Sequence, residues 1–172
     1  NNGSESFTAY NITTSADGVN GVYAVDMDGD GDIDVLSAST NDDKIAWYEN
    51  NGSESFTAAT ITTSANGARS VFAIDVDGDG DMDVLSASYQ DNKIAWYEND
   101  GSESFTAHTI ATSATGANSV FAIDVDGDGD VDVLSASYKD NKIAWYENDG
   151  SESFTPHTIT TSTEGANSVY AV

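Results

Sequence analysis

Aspartate occupies every second position of a nine-residue stretch that reads DVDGDGDMD at 75–83. The same pattern returns as DMDGDGDID at 26–34 and as DVDGDGDVD at 124–132. Two like charges about 4 Å apart repel by roughly 1 kcal/mol in water and roughly 4 near a protein surface, so such a run is costly without a cation. Ca²⁺ takes about six to eight oxygen ligands and would relieve this repulsion. The spacing therefore predicts three calcium-binding loops, with about one Ca²⁺ in each.

Each aspartate has an expected role when positions are counted from the start of the loop. Asp75, Asp77 and Asp79, at positions 1, 3 and 5, are expected to give carboxylate oxygens. Asp81, at position 7, is expected to give its backbone carbonyl with its side chain outward, and Asp83, at position 9, to close the cage directly or through water. The equivalent ligands are Asp26, Asp28, Asp30, Asp32 and Asp34 in the first loop and Asp124, Asp126, Asp128, Asp130 and Asp132 in the third.

These loops begin like an EF-hand but do not continue as one. The twelfth position holds Ser37, Ser86 or Ser135 instead of the bidentate glutamate, and the flanking segments have the β-branched composition of strands. The alternative is an acidic turn that binds no metal. A turn of that kind needs only one aspartate and one glycine, so the repetition of all five carboxylates favours calcium.

A repeat of 49 residues organises the whole chain. GSESFT begins at Gly3, Gly52, Gly101 and Gly150, and residues 70–118 differ from 119–167 at only six positions. In the second copy we predict strands at 70–76, 83–88, 93–99 and 104–111, with Pro156 on an edge strand in the next copy. Four strands in a unit of this length are typical of a propeller blade.

The predicted fold class is therefore all-β, with tandem four-stranded antiparallel blades that form a segment of a larger propeller or of an open array. The predicted segments are 1–20 (fourth strand of a preceding blade plus linker), 21–69, 70–118 and 119–167 (blades 1 to 3), and 168–172 (first strand of a following blade).

The aspartate loop between two strands, with KIAWYEN downstream, resembles the FG-GAP/VCBS repeats of integrin alpha-subunit propellers, fungal propeller lectins and bacterial surface proteins. This resemblance implies β-propeller blades, structural Ca²⁺, extracellular or cell-surface placement, and adhesive or carbohydrate-binding roles.

Composition narrows the classes of partner. The chain carries 30 acidic residues but only five Lys and Arg, for a net charge of −25. This balance argues against nucleic acid and against anionic membrane surfaces, and no apolar stretch is long enough to cross a bilayer. Cysteine is absent, which excludes disulfides and thiolate chemistry. The sequence has no initiator methionine and no signal peptide, which indicates a mature or excised piece.

Three other groups of residues have alternative interpretations. Trp47, Trp96 and Trp145 are expected to be buried between blades, the alternative being sugar-stacking platforms. His108 and His157 occupy a position that accepts Tyr10 and Ala59 elsewhere, which indicates a solvated surface. N-x-S/T sequons, which are potential glycosylation sites, begin at Asn2, Asn11 and Asn51. The alternative is that Asn-Gly serves simply as a good turn sequence.

No single asymmetric group of nucleophile, base and oxyanion donors stands out among repeated residues, so we predict that the chain is not an enzyme. Two functions remain. One is a calcium-binding structural or adhesive scaffold, and the other is a lectin or adhesin module with a discrete glycan or protein site. Because blade faces and strand edges would be left bare at both ends, we expect either continuation of a longer array or head-to-tail self-association, and we favour ring geometry over an open filament.

Overall fold

The computed structural model describes residues 8–172, which contain twelve β-strands and no helix. The strands of the first repeat are β1 (Val19–Val25), β2 (Asp34–Ser39), β3 (Lys44–Asn50) and β4 (Phe56–Thr62). Those of the second repeat are β5 (Ala68–Ile74), β6 (Asp83–Ser88), β7 (Lys93–Asn99) and β8 (Phe105–Ala111). Those of the third are β9 (Ala117–Ile123), β10 (Asp132–Ser137), β11 (Lys142–Asn148) and β12 (Phe154–Thr160).

Each repeat folds into its own four-stranded antiparallel sheet, here called blades 1, 2 and 3. Within a blade every strand pairs with the next one in the chain, so the orders are β1-β2-β3-β4, β5-β6-β7-β8 and β9-β10-β11-β12. The blades are separate sheets and do not close into a barrel. The predicted all-β class with tandem four-stranded blades is confirmed.

Strand boundaries follow the prediction closely in the middle of each blade. In blade 2 the second and third strands occupy the predicted residues, and the fourth begins at Phe105, one residue late. The first strand was predicted at 70–76 but spans Ala68–Ile74. It ends earlier because the Asp75 side chain accepts hydrogen bonds from the loop that follows, which turns the chain away from the sheet.

The segments outside the three blades form no strands among the described residues. Residues 8–18 contain none, although a fourth strand was expected there, and residues 168–172 contain none, although a first strand was expected. The latter segment lies beside β9: Val169 N–H donates to Ser119 Oγ, and the Tyr170 ring centroid is 4.8 Å from that of Phe121. A strand needs a ladder partner, and no described residue pairs with 168–172.

The hydrophobic core lies between blades rather than within one. One buried cluster joins Leu36 and Trp47 of blade 1 to Val71 and Val84 of blade 2, and a second joins blade 2 to blade 3 in the same way. Both faces of blade 2 are therefore covered, which explains why its strands are apolar on both sides.

A row of aromatic rings also links the first strands of the three blades to one another and to the segment 168–172. The centroids of Tyr23, Phe72, Phe121 and Tyr170 follow one another at 4.8 Å, each pair tilted. Such geometry adds about 0.5–1.5 kcal/mol per pair beyond area burial. Pro156 lies in β12 at the edge of its sheet, as predicted, where its missing N–H breaks no ladder.

Candidate metal centres

The loop between the first and second strands of each blade brings three carboxylates together. In blade 2 these belong to Asp75, Asp77 and Asp83, whose candidate ligand oxygens all lie within 4.8 Å of one another. They occupy positions 1, 3 and 9 of the loop. The equivalent groups are Asp26, Asp28 and Asp34 in blade 1 and Asp124, Asp126 and Asp132 in blade 3.

The first aspartate holds the loop in shape. Asp75 Oδ1 accepts the N–H of Gly78 at 2.7 Å, and Oδ2 accepts the N–H of Gly80 at 3.1 Å. These glycines have φ of 79° and 100°, a region that side chains disfavour, so the loop curls inward only because they lack a Cβ. The carboxylate thus lies at the centre of the curve.

The aspartates at positions 5 and 7 lie outside the group of three. Asp79 Oδ1 accepts the N–H of Asp81 at 2.8 Å, as Asp77 Oδ1 accepts that of Asp79 at 3.1 Å. The Asp81 carboxylate covers Gly101 in the turn after β7, where an added Cβ would be 2.5 Å from Oδ2. Its side chain therefore packs against a turn, and the role of its backbone carbonyl as a ligand stays a prediction.

The ninth aspartate is fully buried and joins the loop to the third strand. Asp83 Oδ2 accepts the N–H of Val76 at 3.0 Å, and Oδ1 accepts that of Asn99 at 2.8 Å. Both oxygens keep a further lone pair that a cation can use. Asp34 and Asp132 make the same two contacts in their blades, with Met27 and Asn50 and with Val125 and Asn148.

The asparagine at the end of the third strand is a positioning residue that the sequence reasoning missed. The Asn99 side chain donates to the Met82 carbonyl at 3.2 Å and accepts the Gly101 N–H at 3.3 Å. It therefore ties the loop at position 8 to the turn that Asp81 covers. The signal was available, because KIAWYEN ends in this asparagine in every copy.

Burial and mutual repulsion raise the pKa of several loop carboxyls. Desolvation raises the pKa of Asp83 from 3.8 to about 6, against the opposing effect of the Asn99 and Val76 N–H groups. Desolvation is also the largest cause of the raised pKa of Asp28, Asp77 and Asp126, to which neighbouring carboxylates contribute. Negative charge is thus held at a cost that a divalent cation would offset.

Two of the three repeated tryptophans stack on a histidine of the neighbouring strand. Trp47 and Trp96 are buried between blades, as expected, whereas Trp145 on the outer face of blade 3 is half-buried. The His108 ring stacks on Trp96 with centroids 4.6 Å apart, and Nε2 lies 2.7 Å from Glu98 Oε2. His157 repeats this arrangement with Trp145 and Glu147. Both histidines are partly exposed, but the sequence did not reveal these contacts.

Two of the three sequon asparagines lie within the described residues. Asn11 and Asn51 are exposed, whereas Asn2 lies outside the described part of the chain. Glycosylation at these positions stays a prediction.

The fold and the loops define a tandem repeat protein of blade-like sheets, each with an acidic loop suited to a metal ion. The model of the FG-GAP-like repeat matches residues 26–86, 75–135 and 124–172, which together cover most of the chain. The chain therefore belongs to the FG-GAP-like repeat family, and the resemblance noted from the sequence is confirmed. Comparison with curated proteins found no match.

Membership of this family has two general implications. FG-GAP-like repeats are generally non-catalytic and are typically extracellular. Between residues 8 and 172 there is also no helix with the length and apolar character needed to cross a membrane.

Proposed function

We propose that this chain is a non-catalytic, extracellular, calcium-binding repeat protein that serves as a structural or adhesive scaffold. One observation carries the proposal: in each of three blades, carboxylates at positions 1, 3 and 9 converge within 4.8 Å. Only oxygen ligands are available there, which favours a hard cation. A curved loop without rigid octahedral geometry suits Ca²⁺ better than Mg²⁺.

Calcium would act as a structural element of each blade. The ion would hold positions 1 and 3 of the loop against position 9, which is itself hydrogen-bonded to the end of the third strand. Because the loop joins the first two strands, its closure would stabilise three strands of the blade together. A ligand that binds only the folded state adds about 2.7 kcal/mol per site at a hundredfold excess over Kd.

The test is calcium uptake measured together with thermal unfolding. We expect calorimetry to give about one Ca²⁺ per loop, with Kd in the weak extracellular range of roughly 10⁻⁴–10⁻³ M. Chelation should lower Tm, calcium should restore it, and magnesium at equal concentration should restore less. A melting curve that chelator leaves unmoved, with no calcium uptake, would overturn the proposal.

A discrete ligand site is the second candidate, and recurring cavities between blades favour it. One cavity of about 230 Å³ lies between Asp28 of blade 1 and Asp81 and Glu103 of blade 2. The equivalent cavity between blades 2 and 3 is about 100 Å³ and includes Asp77 and Asp130. A glycan or protein partner that binds there would be lost on Asp130→Ala, whereas calcium uptake at the third loop would persist.

Assembly belongs to the scaffold proposal. The chain either continues into a longer array or associates head to tail with other copies, since the two outer blade faces carry the same residue types that pack between blades. A heterologous contact of this kind gives a ring if its rotation closes and a filament if it does not.

A further inference from the structure

Three asparagine–glycine pairs lie within residues 8–172, at 20–21, 51–52 and 66–67. This dipeptide allows a spontaneous reaction in which the glycine nitrogen attacks the asparagine side-chain carbonyl, because no side chain on the glycine hinders the approach. Reaction requires that the side chain can swing toward this nitrogen and that the N–H is not held elsewhere. The three pairs differ sharply in both respects.

The pair at 51–52 is the least constrained of the three, although the Asp32 carboxylate packs against Gly52 as Asp81 does against Gly101. It lies in the turn between β3 and β4, and both residues are exposed. The Gly52 N–H donates to the neutral Asn50 Oδ1 at 3.2 Å, a weaker restraint than the 2.7 Å bond from the Gly67 N–H to a carboxylate. Asn51 Oδ1 accepts the Ser53 N–H at 3.0 Å, so the carbonyl under attack is already polarised by a donor that would stabilise the developing oxyanion.

The pair at 66–67 is constrained against this reaction. Gly67 is buried, and its N–H donates to the Asp43 carboxylate at 2.7 Å, a short charge-assisted bond. The nitrogen is therefore shielded and its proton is held by an anion, which opposes deprotonation. Asn66 itself is exposed, so exposure of the asparagine alone would not separate this pair from the one at 51–52.

The pair at 20–21 is also constrained. Both residues lie in β1, where Gly21 pairs with Ala38 of the neighbouring strand. The Asn20 side chain donates to the Gly18 carbonyl and to Thr40 Oγ1, which holds its amide away from the following nitrogen.

The other blades contain the product of this reaction as an encoded residue. Asp100 and Asp149 occupy the position of Asn51, and each carboxylate accepts two backbone N–H groups of the same turn. The turn of this fold therefore accommodates an aspartate without rearrangement. Asn51 itself makes one of these two contacts.

We propose that Asn51 is a site of spontaneous deamidation in the folded protein, where the Gly52 nitrogen attacks Asn51 Cγ. The new C–N bond closes a succinimide, the Gly52 nitrogen loses its proton to solvent, and ammonia leaves with the former side-chain nitrogen. Water then opens the ring at either carbonyl, giving aspartate or isoaspartate. No oxidant or enzyme is needed. The product also loses the sequon, so the reaction competes with glycosylation at this residue.

The test is mass spectrometry of the folded 172-residue chain after incubation at mildly alkaline pH with calcium. Trypsin cleavage after Lys44 and Arg69 places Asn51 and Asn66 in one peptide, 45–69, so one measurement compares them. We expect residue 51 to gain the mass difference between NH₂ and OH at least about tenfold faster than residues 20 and 66, which corresponds to ~1.4 kcal/mol in barrier height. Isoaspartyl and aspartyl peptides should separate by chromatography.

Two controls test whether hydrogen bonds of the folded chain cause the difference in reaction rate. In urea all three pairs should react at similar rates, because the hydrogen bonds that separate them are gone. Asp43→Gly suits the φ of 55° at that position and removes the acceptor of the Gly67 N–H, so residue 66 should gain reactivity while residue 51 keeps its rate. Equal rates in the folded chain, or residue 51 unchanged while another pair reacts, would overturn the proposal whatever the outcome of the calcium experiment.

Discussion

Five aspartates of one loop, identical in chemistry, perform different tasks. Asp75 curls the loop around its own carboxylate, Asp81 covers a neighbouring turn, and Asp83 anchors the loop to a strand from a fully buried position. Substitution should therefore affect the loop according to position rather than to residue type.

Asp75→Ala should abolish calcium uptake at its loop, whereas Asp81→Ala should be mild. The first removes a carboxylate of the convergent group together with two loop hydrogen bonds, and the second leaves the backbone carbonyl in place. Calorimetric stoichiometry should fall by one site for the first variant only. Equal losses in the two variants would mean that the loop coordinates in another register.

Metal-free protein should be more stable near pH 4–5 than at pH 7. The pKa of Asp83 is raised from 3.8 to about 6, so the folded state binds more protons than the unfolded state across this window. Stability then falls as pH rises from about 4 to about 6, by on the order of 2 kcal/mol for this group. With calcium bound the trend should reverse, because protons compete with the ion. Tm measured against pH, with chelator and with calcium, separates the two cases.

The strand–loop–strand element is closed by a residue from the third strand. Asn99 joins the carbonyl of Met82 to the N–H of Gly101, which links the loop, β7 and the following turn through one side chain. Backbone hydrogen bonds alone would hold the strands but would leave the loop free at position 8.

Asn99→Ala should destabilise the protein by about 1–2 kcal/mol, since two hydrogen bonds each contribute about 0.5–1.5 kcal/mol net. Calcium affinity at the second loop should also weaken, because positions 8 and 9 lose their support. Asn99→Asp is the matched control for the turn, as it keeps an acceptor for the Gly101 N–H while removing the donor to Met82. Urea unfolding and calcium titration measure both effects. Unchanged stability and unchanged calcium affinity in Asn99→Ala would show that Asn99 does not support the loop.

Over the whole molecule, burial of an equivalent residue depends on whether a blade lies against it. Val71 and Val120 are 6% and 4% exposed, whereas the equivalent Val22 on the outer face of blade 1 is 67% exposed. Trp96 is fully buried, and Trp145 is not. The outer faces therefore present surfaces of the type that other blades bury.

We expect these residues to associate head to tail in calcium, and Val22→Asp to weaken the association. A charge placed at a position that the neighbouring blade would bury carries a desolvation cost without a partner. Thr106→Asp, at an exposed position of β8, should leave association unchanged. Light scattering gives the molar mass for all three proteins. A monodisperse monomer of 18.0 kDa for the parent sequence would contradict the expectation.

The sequence by itself determined the repeat, the four strands of each blade and the position of the acidic loops. These are local properties: β-branched alternation, turn glycines and charge spacing act within about ten residues, and the 49-residue period repeats them. The second and third strands of blade 2 were predicted at their observed residues for this reason.

Only the tertiary structure decided which carboxylates converge and what supports them. Asp79 and Asp83 look alike in the sequence, yet Asp83 is buried against the end of β7 and Asp79 is exposed. That difference arises from a contact between residues sixteen apart in the chain, Asp83 and Asn99. Segment 168–172 is a second case in which the sequence alone did not determine the structure. Its residues have strand propensity, but a strand also requires a partner in the ladder, and no described residue supplies one.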